Sequence, residues 1–249
     1  MRRFMERQES PVKARSLASA ALSVTLAVLM VLSTAVIPQT RDGFKSYAAE
    51  FKDTSKHWAK TYIEEAVKYG FVSGYTDGTF KPDNPITRAE FTKMLNSAIG
   101  NTAETDINFP DVKSGKWYYN DVQKGVAAGF ISGKSNGDFA PDAKITRQET
   151  AVMLSRIVPT SGSNATLKVY SDYKNVEYWA ETALEKITAK GYLGAYNDGK
   201  LHPKDNLTRG QAAKILTLVL QKETIDKNNK RIVAHDGSDI VLKDTIYSN

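Results

Sequence analysis

The sequence predicts an all-α protein made of three copies of one two-helix unit, joined by loops and packed around a shared axis. Ile86-Thr87-Arg88, Ile145-Thr146-Arg147 and Leu207-Thr208-Arg209 recur at spacings of 59 and 62 residues. Trp58, Trp117 and Trp179 keep the same two spacings, and so do Gly70, Gly129 and Gly191. An apolar stripe at helical spacing follows each Thr-Arg segment. A lone pair of helices has nothing to bury such a stripe against, so the units must pack on one another.

Each unit opens with an aromatic residue, one variable position and Asp, followed by Trp and a helical run. In the first copy Trp58, Tyr62, Ile63, Ala66 and Val67 mark one face, and Gly70 ends the helix as a left-handed cap. The third copy matches with Trp179, Ala183, Leu184 and Ile187 before Gly191. In the middle copy Gly125 falls inside the helix, at a cost of about 1 kcal/mol against Ala, so that helix must lean on its neighbours. Asp77-Gly78, Asn136-Gly137 and Asp198-Gly199 then mark tight turns. Calcium is the alternative use of these acids, but the alternating Asp ligands of a calcium loop are missing.

The second helix is the more regular. Phe91, Met94, Leu95, Ala98 and Ile99 recur as Thr150, Met153, Leu154, Ile157 and Val158, then as Ala212, Ile215, Leu216, Val219 and Leu220. Thr87 with Glu90, Thr146 with Glu149 and Thr208 with Gln211 read as capping boxes that start these helices.

Charge and composition narrow the function. The net charge is +6, with a pI of about 9.2, yet residues 49–249 keep only +2 of it, so a nucleic-acid partner is not indicated. The rest sits in a basic leader ahead of an uncharged run from Ser16 to Gln39, which reads with its small-residue sites as an export signal over residues 1–48. A retained membrane helix is the alternative reading of that run. The units are expected at 49–105, 106–165 and 166–220, with a polar tail at 221–249 that contains strand-like runs at Ile232-Val233 and Ile240-Val241-Leu242. Cysteine is absent, which removes disulfides and thiolate chemistry. The acids and His235 of the tail show no catalytic pairing, and His57 with His202 is too small a set for zinc. No enzyme activity, cofactor or metal is expected.

The Thr-Arg segments carry the site. Arg88, Arg147 and Arg209 place a cation in the first helical turn, against the helix dipole. Two explanations fit: each Arg, with the free amides of its helix start, faces an external anion, or it pairs internally with an acid such as Asp53, Asp111 or Asp172. Trp58, Trp117, Trp179, Tyr75, Tyr118 and Tyr196 offer flat faces with polar tips that suit sugar rings. The tryptophans sit on the apolar stripe, which favours core packing, whereas Tyr75 and Tyr196 flank the turns and suit contact.

The first copy, residues 51–100, with FKDTSKHWAKTYIEEAVKYGFVSGYTDGTFKPDNPITRAEFTKML, resembles the S-layer homology domain, and about Phe109 to Val158 and about Tyr170 to Leu220 are similar copies. The resemblance implies a pseudo-threefold assembly with a central helical bundle and grooves between adjacent units. It also implies a secreted, wall-bound protein that holds secondary cell-wall polysaccharide carrying pyruvylated sugar, with other surface-layer proteins as further partners. The pyruvate carboxylate would meet Arg88, Arg147 and Arg209; Glu90, Glu149, Gln211, Tyr75, Asp77, Lys134, Tyr196 and the three tryptophans complete the expected ligand set. Gly210-Gln211 in place of Ala89-Glu90, and Lys134-Ser135 in place of Tyr75-Thr76, imply grooves of unequal strength. A self-assembling lattice or adaptor protein, or the anchored fragment of a larger surface enzyme, are the competing functions.

Overall fold

A computed structural model describes residues 50–159, 166–226, 231–234 and 239–241. The expected export leader lies outside the described residues, as do Asp236, Gly237 and Leu242 of the tail. Among the described residues no helix is long and apolar enough to cross a membrane.

Among the described residues six α-helices form the body: α1 (Lys60–Lys68), α2 (Arg88–Ile99), α3 (Tyr119–Ala127), α4 (Arg147–Ser155), α5 (Glu181–Ala189) and α6 (Arg209–Lys222). They alternate as the first and second helix of each unit. Three short 3-10 turns, at Leu167–Val169, Tyr173–Asn175 and Tyr178–Ala180, precede α5. The units interlock in a cycle: α2 packs on α3, α4 on α5, and α6 returns to α1. Their apolar faces share one core that includes Ile63, Phe91, Leu95, Leu154, Leu184 and Leu216.

The cycle is closed by the backbone itself. Ile86 N–H donates to Leu207 O at 3.0 Å, Leu207 N–H to Ile145 O at 2.8 Å, and Ile145 N–H to Ile86 O at 3.1 Å. All three side chains are fully buried. One residue later, Thr87, Thr146 and Thr208 each complete a capping box with Glu90, Glu149 and Gln211.

The Asp of each opening motif has a structural task. Asp53 accepts from the amides of Phe80 and Lys81 at 2.9 and 2.7 Å, Asp111 from Phe139 and Ala140 at 2.9 and 2.6 Å, and Asp172 from Leu201 and His202 at 2.9 and 2.8 Å. The second amide in each pair belongs to a non-glycine residue in the left-handed region, with φ of 56°, 60° and 48° for Lys81, Ala140 and His202. That conformation costs a side-chain-bearing residue of order 1 kcal/mol or more, and the carboxylate clamp offsets it.

Gly125 has a packing reason: a Cβ there would stand under 3 Å from the side chains of Ile131 and Phe130, which would have to shift. The three tryptophans overturn the expected core packing: they precede or begin the first helical turn and are 53–55% exposed.

The tail, read from the sequence as polar with strand-like runs, forms strands. After α6 the chain turns into an antiparallel meander of β1 (Glu223–Asp226), β2 (Arg231–Ala234) and β3 (Asp239–Val241), in the order β1-β2-β3. The strand-like runs fall on β2 and β3, whereas β1 had no clear signal. Glu223 ties the sheet to the third unit, accepting from the Tyr192 hydroxyl at 2.7 Å and from Lys190 Nζ at 2.8 Å. Burial, reinforced by the Glu223 carboxylate, pushes the Tyr192 hydroxyl well above its ordinary pKa.

Candidate functional site: three inter-unit grooves

The starts of α2, α4 and α6 have no spare amides for a ligand among their first three positions. Arg88 and Ala89 N–H donate to Ala143 and Pro141 of the second unit, Arg147 and Gln148 to Asp205 and Pro203 of the third, and Arg209 and Gly210 to Asn84 and Pro82 of the first. The third amide goes to the capping threonine. The expectation that these amides face an anion is therefore corrected: the neighbouring unit already satisfies them. Gly210 fits this arrangement, since a Cβ there would stand 3.2 Å from Pro82 O.

The arginine side chains follow the same cycle. Nε of Arg88 donates to Phe139 O at 2.8 Å, that of Arg147 to Leu201 O at 2.8 Å, and that of Arg209 to Phe80 O at 2.9 Å. Each guanidinium thus spans one unit boundary. Arg147 also donates through Nη2 to Gly194 O, and Arg209 through Nη2 to Ser73 O at 3.1 Å. Internal pairing with Asp53, Asp111 or Asp172 does not occur, because those carboxylates are spent on backbone amides. Among the described residues, no carboxylate lies within ion-pair distance of Arg147 or Arg209. Arg88 alone has an acid beside it, Glu149, whose Oε1 is 3.4 Å from Nη1.

Arg88 and Arg147 are buried, which lowers their guanidinium pKa. Glu149 and Asp111 oppose that effect at Arg88, as do Tyr196, Asp205 and Asp172 at Arg147. A guanidinium starts so far above neutrality that both remain cations.

A groove opens beside each arginine, and each draws on all three units. The Arg88 groove, about 530 Å³, is lined by the loop from Phe130 to Ser135, the α4 face at Glu149 and Trp179 of the third unit. The Arg147 groove, about 870 Å³, takes its loop and α6 face from the third unit and Trp58 from the first. The Arg209 groove, about 260 Å³, takes its loop and α2 face from the first unit and Trp117 from the second. The Tyr196 ring lies 4.4 Å from the Arg147 guanidinium, and the Tyr75 ring 4.9 Å from that of Arg209. Gln211 Nε2 donates to the Tyr196 hydroxyl at 2.7 Å. A guanidinium and a half-exposed indole lining one cleft suit an acidic sugar.

The family model for the S-layer homology domain matches residues 50–92, 108–151 and 169–213, more than half of the chain. The chain belongs to the S-layer homology domain family. Its similarity to longer proteins is confined to a part of each. It is 31% identical over 210 residues to an endoglucanase of Bacillus sp. (strain KSM-635), covering 82% of this chain and 22% of that protein. It is 29% identical over 227 residues to the surface-layer 125 kDa protein of Lysinibacillus sphaericus, covering 85% and 19%. With a cellulosome-anchoring protein of Acetivibrio thermocellus it shares 32% identity over 143 residues, covering 55% and 32%. The chain thus spans a third or less of the length of these relatives.

In this S-layer homology chain the three grooves gather the arginines, Glu90, Glu149, Gln211, Tyr75, Lys134, Tyr196 and the three tryptophans. Asp77 lines none of them. Its Oδ1 accepts from the amide and hydroxyl of Thr79 at 3.0 and 2.6 Å, which holds the turn and lowers its pKa to about 2. Sequence reasoning missed Lys93 and Lys214, whose ammonium groups stand 5.7 and 5.9 Å from the Trp117 and Trp58 rings. Both lie five residues after their unit's arginine, so the repeat register itself could have found them. Arg156, in the Arg88 groove, has no counterpart in the other units and left no such signal.

Proposed function

We propose that this chain is a non-catalytic cell-surface anchor, exported by a leader within residues 1–48, whose grooves hold a pyruvylated secondary cell-wall polysaccharide. The observation that carries this reading is the repeated pairing of a cross-unit arginine with a half-exposed tryptophan in the lining of one cleft. The ketal carboxylate of a pyruvylated sugar meets the guanidinium, and the sugar ring lies toward the indole. An anchoring role is also supported by the range of relatives. An endoglucanase, a surface-layer protein and a cellulosome-anchoring protein share this region while their names describe different tasks, which fits a module that sets location rather than chemistry.

The test is capture of the full chain by purified cell walls, before and after chemical removal of pyruvate. Binding is expected to fall strongly after removal; unchanged binding would overturn the polysaccharide reading. A second reading, the anchored part of a larger surface enzyme, is favoured by the similarity to enzymes several times longer than this chain. A third, a lattice-forming or adaptor protein, draws on the surface-layer relatives, and deleting residues 223–249 separates it: an anchor keeps wall binding, while a lattice former loses self-association.

A further inference from the structure

The three grooves share an arginine and a tryptophan but differ in where their other charges stand. At the register of Tyr75 and Tyr196 the Arg88 groove carries Lys134, so a ring that covers the guanidinium in the other two grooves is replaced by a second cation. Lys134 Nζ lies 3.5 Å from Glu149 Oε1, the same oxygen that Arg88 Nη1 meets at 3.4 Å. The other oxygen of Glu149 is occupied by the amide of Thr146 at 2.9 Å. Arg156, exposed and donating through Nη1 to Phe130 O at 3.0 Å, adds a third cation to the same wall. Three cations and one carboxylate therefore line this groove.

At the register of Lys93 and Lys214, beneath the indole, this groove has Val152 instead. Positive charge has moved from the tryptophan end to the loop end. The other grooves are closer to balance. Arg147 and Lys214 share theirs with Asp198 and Asp205, and Arg209 and Lys93 share theirs with Glu90.

We infer that the Arg88 groove is a subsite for a doubly charged anionic group carried on a sugar, such as a phosphate monoester, whereas the Arg147 and Arg209 grooves take a single carboxylate. This rests on the anchoring reading and refines which acid each groove accepts. A second negative charge held several Å from two uncompensated cations in a partly desolvated cleft gains about tenfold in affinity.

The experiment is calorimetric titration of the full chain at low salt and pH 7.5 with glucose 6-phosphate, glucuronate and malonate. Glucose 6-phosphate is expected to bind about tenfold tighter than glucuronate. Lys134→Tyr, which installs the residue of the other two units, should bring that ratio below about threefold, and Arg156→Ser should lower it too. The ratio should also shrink at pH 5, where the phosphate loses its second charge. Malonate binding as tightly as the sugar phosphate would support the subsite with paired carboxylates as the source of the charge. Equal affinity for glucose 6-phosphate and glucuronate, or a ratio indifferent to both substitutions, would overturn the inference. If pyruvate-dependent wall capture survives that result, only the charge assignment falls; if capture is absent as well, the anchoring reading falls with it.

Discussion

The corners where units meet and the walls of the grooves are built from neighbouring residues but behave differently across the three copies. At each corner the same devices recur: an Asp clamps two amides, a Thr caps a helix and an Arg Nε reaches a carbonyl of the next unit. Along the walls Tyr75 becomes Lys134 and Lys93 becomes Val152. The corner is fixed because each of its groups is committed to a partner elsewhere in the protein. The wall varies because solvent or ligand takes the place of such a partner.

That contrast is breakable by substitution. The largest expected effect is at a corner: Asp111→Ala leaves the Phe139 and Ala140 amides without their acceptor and Ala140 in an unsupported conformation, costing about 3 kcal/mol. In thermal denaturation this is a fall of roughly 6–12 °C for a domain of this size. Gly125→Ala gains helix propensity but overpacks Ile131 and Phe130, and a net loss of about 1–2 kcal/mol is expected. An increase in melting temperature there would show that the contact relaxes freely. Thr208→Ala removes one cap and costs about 1 kcal/mol.

Acid sharpens the same comparison. Burial raises the Asp53 pKa, but the amides of Phe80 and Lys81 outweigh it and hold the carboxyl below its ordinary value. Asp77 and Asp198 are lowered as well, by Thr79 and by His202 respectively. A folded pKa below the unfolded one stabilises the native state above about pH 4. That contribution is lost as pH falls through the folded values. Melting temperature should accordingly be flat from pH 7 to 5 and decline below pH 4.

The smallest stability effect belongs to the wall. Trp58→Ala should change stability by about 0.5 kcal/mol or less, because the indole is half exposed, while wall capture weakens measurably. Arg147→Ala cannot separate the two roles so cleanly. It removes a groove cation and also strands Leu201 O, so wall capture and stability should fall together.

Much of the framework was legible in the chain. The recurrent Thr-Arg, Trp and Gly markers located the units, and Thr with Glu or Gln three residues on located the starts of α2, α4 and α6. These are local signals, within reach of a helical turn. What stayed hidden was non-local. Asp53, Asp111 and Asp172 bond residues 27–30 positions away, at loop sites where Lys81, Ala140 and His202 give no hint of a left-handed backbone. Trp58 matched a helical stripe because it lies two residues ahead of α1, where the helical count no longer determines which way a side chain points. The amides of Arg88 and Ala89 looked free because their acceptors, Ala143 and Pro141, belong to another unit.

Because every groove is assembled from all three units, recognition does not scale with copy number. A polypeptide shortened by one copy loses a tryptophan from one cleft, an arginine from another and the loop wall of the third. Evolution by tandem duplication therefore meets a threshold at three, below which a shortened chain keeps no finished cleft unless a second molecule donates the missing side.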